Sequence, residues 1–174
     1  MKLTEHFTLD ELTRSTTAQR LGVANTPPQE LLPRLVRTAE MLERIRSTVG
    51  VPIVVTSGYR CERVERELTY SAYLARCRRQ GIPVNDETWR DYFETKDHPR
   101  GHAADILAPR FGTPTEVARL LAPLVSVLDI GQLILEGVKG KQWVHVSTHT
   151  PEKAINRVIT ITDAGTVPGI VGLS

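Results

Sequence analysis

The sequence predicts an α+β fold in which a small antiparallel sheet is flanked by helices. The first half of the chain carries a long apolar stripe at helical spacing, whereas the second half contains short segments that are β-branched or alternate between apolar and polar residues. Strands that follow one another through short turns favour antiparallel pairing, with the helices grouped beside the sheet. The predicted strands are residues 52–56, 103–107, 130–136, 142–148 and 157–162.

Two helices are predicted in the first fifty residues. Thr8 and Glu11 form a capping box for a short helix. A longer helix is predicted to begin at Thr26, with Pro27 in its first turn, and to end before Gly50. The apolar stripe of this second helix consists of Leu31, Leu35, Ala39, Leu42 and Ile45.

Residues 62–95 are predicted to be helical in two or three pieces, which break at residues 81–83 and restart at Asn85 or Asp86. The apolar face of the last piece consists of Trp89, Tyr92 and Phe93. A further helix is capped by Thr113 and extends to about residue 127.

Length and composition fit a single domain over residues 1–174, because 174 residues with 40% hydrophobic content can form one core. The net charge of +2, from 22 basic and 20 acidic residues, is too balanced to indicate nucleic-acid binding. Cys61 and Cys77 lack the spacing of a structural zinc site, so we expect free thiols. The first residues lack the apolar run of a secretion signal, and no stretch reaches the roughly 20 apolar residues of a membrane span. We therefore expect synthesis in the cytoplasm without a signal peptide.

Two motifs supply the parts of a metal site. Residues 98–105 read His-Pro-Arg-Gly-His-Ala-Ala-Asp, and residues 143–147 read Trp-Val-His-Val-Ser. The two imidazoles of His98 and His145 and the carboxylate of Asp105 would leave a tetrahedral zinc ion with one open position. Each residue has a simpler alternative: a surface hydrogen bond for His98, stacking on the neighbouring tryptophan for His145, and an ion pair with a nearby arginine for Asp105.

His102 is a rival ligand because it lies four residues after His98, the spacing that puts two histidines on one helix face. Pro99 and Gly101 disfavour such a helix. In a strand, side chains 103, 105 and 107 share one face while 102 and 104 point to the other. The pattern therefore predicts that His102 is not a ligand, although it could line the outer cleft.

Together the motifs resemble the His-x-x-Gly-x-Ala-x-Asp and later Trp-Val-His of the zinc D-Ala-D-Ala metallopeptidases, which cut peptidoglycan stem peptides and share a core with lysostaphin and hedgehog. The resemblance implies a zinc ion held by His98, Asp105 and His145. Ser-Gly-Tyr-Arg at residues 57–60 matches another family element, which implies substrate binding by Arg60, with Ser57 and Tyr59 beside it. For Arg60 the alternative is a structural ion pair.

The chain departs from the family at three points. Residues 62–95 form an insertion relative to shorter members, which we expect to be a wall of the cleft. Lys96 stands where the family often has a serine. In the carboxypeptidases and dipeptidases of the family, the catalytic acid or base lies three residues before the last histidine, and here that position is Gln142, which cannot transfer protons.

Glu136 is the predicted replacement for that base. It ends a strand, and a turn at residues 137–141 would fold it back beside the strand that carries His145. In hedgehog-like and some phage members, a glutamate upstream of the final Trp-Val-His has this role. The alternative is a solvated carboxylate at the end of a hairpin.

The predicted function is a zinc-dependent peptidase that cleaves peptidoglycan stem peptides, as a carboxypeptidase or a murein endopeptidase, with phage or prophage association. Such an enzyme would reach the cell wall after release or as a virion component, with other virion proteins as further partners. One alternative is a non-catalytic zinc-containing module that binds the wall or builds a virion, which Gln142 supports. A second is a hydrolase of another small amide or ester.

Overall fold

A six-stranded mixed sheet dominates the computed structural model, which describes residues 1–150, 153 and 155–172. Its strands, taken over those residues, are β1 (Val54–Ser57), β2 (Ala103–Leu107), β3 (Gln132–Val138), β4 (Lys141–Ser147), β5 (Arg157–Thr162) and β6 (Gly165–Pro168). They are arranged in the order β1-β2-β4-β3-β5-β6. Helices lie beside this sheet, which confirms the α+β class.

One strand pair departs from the antiparallel arrangement expected from the sequence. β5 pairs with β3 in parallel, while every other neighbouring pair of the described sheet is antiparallel. β4 already occupies one edge of β3 and ends beside the start of β3. A chain that leaves β4 through a short connection therefore reaches the free edge of β3 at the same end and runs in the same direction as β3.

The helices of the described residues are α1 (Leu9–Thr13), α2 (Thr16–Leu21), α3 (Leu32–Val49), α4 (Glu62–Gln80), α5 (Asp86–Glu94) and α6 (Pro114–Leu121). None of them combines the length and the apolar character that a bilayer span requires. α1 confirms the capping box, in which Thr8 and Glu11 bond to each other's backbone amides. α2 and β6 were not predicted.

Prolines explain the two helix boundaries that the sequence predicted wrongly. The long helix begins with a 3-10 turn at Gln29–Leu31 and not at Thr26, because Pro28 is extended and a residue before a proline avoids the helical conformation. α6 ends at Leu121 and passes into a 3-10 turn, short of residue 127, because Pro123 follows and lacks a backbone donor.

The main hydrophobic core lies between one face of the sheet and helices α3 and α6. Strand alternation directs Val144 and Val146 of β4 and Leu133 and Leu135 of β3 into this core. The residues directly before and after these side chains in each strand, including His145 and Glu136, point to the opposite face of the sheet. The core therefore fixes which side chains face the cleft.

The helical segments predicted over residues 62–95 are confirmed as α4 and α5, and they have a second core of their own formed by Tyr73, Cys77, Trp89 and Tyr92. Asn85 caps α5 as predicted, with its side chain accepting a hydrogen bond from the Thr88 amide. Both cysteines are free thiols, in agreement with the sequence.

The turn at residues 57–60 is locked to the N-terminal segment. The Tyr59 amide donates to the Leu12 carbonyl over 2.6 Å. The side chain of Asn25 donates to the carbonyls of Thr13 and Tyr59 and accepts from the amide of Cys61 at 2.7–2.9 Å. Gly58 lies so close to α1 that a Cβ atom there would overlap the Leu12 carbonyl.

Gly58→Ala should therefore destabilise the fold by about 1–3 kcal/mol, because the clash is with backbone that cannot rotate away. Denaturant unfolding measures this. Gly172→Ala is the matched control, since the added carbon there would meet only the end of the flexible Arg119 side chain. Equal losses for the two variants would contradict the close packing of the turn against α1.

Candidate metal centre

Three buried side chains from separate parts of the chain converge on one face of the sheet. Asp105 of β2 and His145 of β4 are direct cross-strand partners, and His98 lies in the turn between α5 and β2. Their exposed fractions are 5–6%. One ligand atom from each of the three lies within 4.8 Å of the others, so this cluster could hold a metal ion.

The distances between the donor atoms and the tautomer of His98 fit a bound metal ion. His145 Nδ1 lies 2.9 Å and His98 Nε2 lies 3.3 Å from Asp105 Oδ1. Zinc–donor distances of about 2.0–2.2 Å place neighbouring tetrahedral ligands roughly 3–3.5 Å apart, so these separations fit. His98 Nδ1 lies 2.6 Å from the carbonyl of Gly58. Donation to that carbonyl leaves the Nε2 lone pair directed at the cluster.

The charges of the cluster keep Asp105 ionised. Burial alone would raise the pKa of Asp105, but His98, His145 and Arg60 hold it well below its ordinary value. Burial lowers the pKa of His98 and Arg60 lowers it further. For His145, burial also disfavours the charged form, yet its hydrogen bond to Asp105 raises its pKa overall. An ionised carboxylate and a neutral His98 are the protonation states of metal ligands.

Arg60 contacts the cluster from behind, as the ion-pair alternative supposed. Its Nη2 lies 2.6 Å from Asp105 Oδ2, its Nε donates to Ser57 Oγ over 2.9 Å, and its Nη1 lies 3.4 Å from Glu65 Oε2. The guanidinium is 14% exposed and lines the cleft. Its immediate role is to orient Asp105, and a contact with substrate stays a prediction.

Tyr59 is placed differently from the prediction. Its side chain is buried in the main hydrophobic core and is not among the residues that line the cleft. The aromatic ring anchors the turn that carries Arg60, so its position gives no support to a role in substrate binding. Ser57 acts on Arg60 through the hydrogen bond described above.

Glu136 and Gln142 lie on opposite faces of the sheet. Glu136 of β3 pairs with Trp143 of β4, which puts its carboxylate on the cleft face, one pair from His145. Burial raises the pKa of Glu136 above its ordinary value, which the charges of His145, Arg60 and Lys96 oppose and that of Asp105 reinforces. Gln142 points to the other face, so its position as well as its chemistry excludes it as the base.

The cluster lies in an open cleft of about 560 Å³. One wall consists of α4, and Leu68, Thr69 and Ala72 supply its surface. Whether this helix is an insertion relative to shorter family members stays a prediction. The opposite wall is formed by β3 and the β3–β4 hairpin. A cleft with one helical and one strand wall has room for an extended peptide over the cluster.

His102 is not part of the cluster. It lies on the other side of β2, where its Nδ1 is 2.9 Å from Thr148 Oγ1, as the strand alternation predicted. The sequence analysis missed Glu65, which is 2% exposed and pairs with Arg60. A glutamate in the first turn of the helix after Arg60 was the available signal. Asp97, which with Glu94 was an alternative candidate for the base on sequence grounds, has its Oδ1 2.6 Å from Lys153 Nζ.

A comparison with protein families finds that residues 5–73 match a family described as Peptidase M15. This segment of the chain is similar to the M15 zinc D-Ala-D-Ala peptidases. A comparison with curated proteins finds no match.

The segment that matches the M15 family includes the turn at residues 57–60 and ends inside α4, before His98. The family match and the metal cluster are therefore separate observations that agree. The matched part holds the groups that orient the cluster, namely Gly58 and Arg60, while the ligands come from the part beyond it. The M15 family is one of metal-dependent peptidases, and the cluster supplies a place for the metal.

Removal of either histidine should abolish metal binding, because each supplies one of three donors. We expect His98→Ala and His145→Ala to lose stoichiometric zinc after dialysis, as measured by elemental analysis of the folded fraction. His102→Ala is the matched control and should keep the metal, since His102 lies on the opposite face of β2. Full retention of zinc in either ligand variant would contradict the assignment.

Arg60→Lys tests whether the guanidinium orients Asp105. Lysine keeps the charge but cannot reach Asp105, Ser57 and Glu65 together. We expect zinc affinity, measured by chelator competition, to fall about 10–100-fold. Arg14→Lys, in an exposed pair with Asp10, should leave it unchanged. If turnover falls while zinc affinity stays unchanged, Arg60 acts on substrate and not through Asp105.

Proposed function

We propose that the protein is a zinc-dependent peptidase that cleaves peptidoglycan stem peptides, as a carboxypeptidase or an endopeptidase. One observation carries the proposal: the donors of His98, Asp105 and His145 converge at the floor of an open cleft, with the carboxylate of Glu136 on the same face. A purely structural metal site has no need of an adjacent cleft with a partly buried acid. The match of residues 5–73 to the M15 family supports the same reaction class.

Zinc held by these three residues with one open position would polarise a scissile carbonyl and make water a better nucleophile. The chain must then supply a group that removes a proton from the water and delivers it to the leaving amine. Glu136 has the position for this, because it shares the cleft with His145. Its raised pKa favours the first step, because a carboxylate with a higher pKa accepts a proton more readily.

Arg60 and Glu65 contribute indirectly in this proposal. Arg60 fixes the second oxygen of Asp105, which leaves Oδ1 free for the metal. Glu65 neutralises the other side of the guanidinium and connects the inserted helix α4 to the cluster. We further propose that the enzyme acts at the cell wall, where stem peptides occur.

Glu136→Gln separates the proton shuttle from metal binding, because it preserves shape and hydrogen bonding but cannot accept a proton. We expect a folded, zinc-loaded protein whose kcat on stem peptides is about 100- to 10,000-fold lower.

In the unsubstituted protein, kcat/KM should fall as the pH drops through the raised pKa of Glu136, since the protonated acid is no longer a base. The variant should lack this dependence. Gln142→Ala, on the other face of β4, is the control and should keep its activity.

A zymogram on purified peptidoglycan, with and without a chelator, decides between enzyme and binding module. The proposal requires clearing that the chelator abolishes and added zinc restores. Binding to peptidoglycan without clearing under zinc-replete conditions would support the non-catalytic module. An unchanged rate in Glu136→Gln would show that another group serves as the base.

A further inference from the structure

Lys96 is a charged residue of the cleft that the proposed mechanism does not use. It follows α5 and precedes His98 by two positions, and its side chain lines the cleft. Its ammonium lies 3.7 Å from the centre of the Tyr92 ring. This is a cation–π contact, which restricts a side chain that otherwise has many rotamers.

The ring under Lys96 is itself fixed. Tyr92 packs against Tyr73 and Trp89, with ring centres 5.5 and 5.7 Å apart, in the second core formed by the inserted helices. A rigid ring holds the ammonium at one place beside the metal cluster. Helices α4 and α5 therefore do more than form a wall, because they also position a cation in the cleft.

Two other cations of the cleft are paired with acids. Arg60 pairs with Asp105 and Glu65, and Lys153 pairs with Asp97. Lys96 makes no ion pair with any residue that the structure describes. Lys139 also lines the cleft, but it lies at the exposed tip of the β3–β4 hairpin, where nothing comparable fixes its side chain.

Lys96 and Glu136 both line the cleft, and no ion pair joins them among the described contacts. The charge of Lys96 acts to lower the pKa of Glu136. A cleft that holds an acid, a cation and the metal ligands suits a substrate with a carboxylate near the bond that is cut. A partly buried ammonium gains most from a partner that brings its own negative charge.

We propose that Lys96 is a specificity residue that binds a free carboxylate of the substrate peptide beside the scissile bond. This inference rests on the proposed peptidase function and names the substrate class more closely: acidic stem peptides. The carboxylate can be the C-terminus of the peptide or the side chain of an acidic residue, and both offer the same chemistry to an ammonium.

Three synthetic stem peptides test the proposal on the zinc-loaded protein: one with all carboxylates free, one with a C-terminal amide and one with side-chain amides. We expect one of the two amides to lower kcat/KM by about tenfold to a hundredfold, the effect of losing a charged hydrogen bond. The C-terminal amide would identify a carboxypeptidase, and the side-chain amide would identify recognition within the chain.

Lys96→Met should remove this discrimination. The variant should cleave the peptide with free carboxylates no faster than the amide peptide that the unsubstituted protein cleaves slowly. Both rates should be close to the rate of the unsubstituted protein on that amide peptide. Lys96→Arg should keep most of the preference. Lys141→Met removes a lysine outside this cleft and should behave as the unsubstituted protein. Equal loss of rate on all three peptides in Lys96→Met, or no discrimination in the unsubstituted protein, would overturn the assignment.

Calorimetric binding of the same peptides to the zinc-loaded protein keeps this test separate from the test of the reaction. If no peptide is cleaved, the proposed peptidase function fails. A binding preference for the free carboxylate that Lys96→Met abolishes would still support the role of Lys96. Equal binding of the acid and amide peptides would reject it.

Discussion

A buried carboxylate at the centre of the sheet is the constraint on which the rest of the site depends. Asp105 is 5% exposed, and an ionised group at such a position must be compensated by charge and hydrogen bonds. Its Oδ1 meets the two histidines and its Oδ2 meets Arg60. This division of the two oxygens holds Asp105 ionised, fixes its orientation and points one oxygen at the place where the imidazoles converge.

The surrounding fold serves this arrangement through register and close packing. A slip of one residue between β2 and β4 would turn His145 away from Asp105 and into the core. The segment that matches the M15 family contributes from the other side: the carbonyl of Gly58 receives the Nδ1 hydrogen of His98, and Arg60 reaches Asp105 from the same turn. Residues 57–60 are themselves anchored on α1. The metal cluster therefore depends on contacts between parts of the chain that are far apart in sequence.

Local patterns in the sequence predicted much of the fold, and they predicted which side chains lie on the cleft face of the sheet. Strand alternation placed His102 away from Asp105, and the hairpin turn placed Glu136 beside the strand of His145. The missing parts depend on long-range packing. The parallel pairing of β5 follows from which edge of β3 is free, and the burial of Tyr59 follows from its contact with α1. The pairing of Glu65 with Arg60 required the position of α4, which no periodicity gives.

Anomalous diffraction at the zinc edge, from crystals of the zinc-loaded protein, tests the account most directly. The account predicts one strong peak bonded to His98 Nε2, Asp105 Oδ1 and His145 Nδ1, on the side that opens to the cleft and Glu136. It also predicts that Arg60 remains on Asp105 Oδ2 when the metal is bound. A peak elsewhere on the chain, or no peak between these three side chains at saturating zinc, would contradict it.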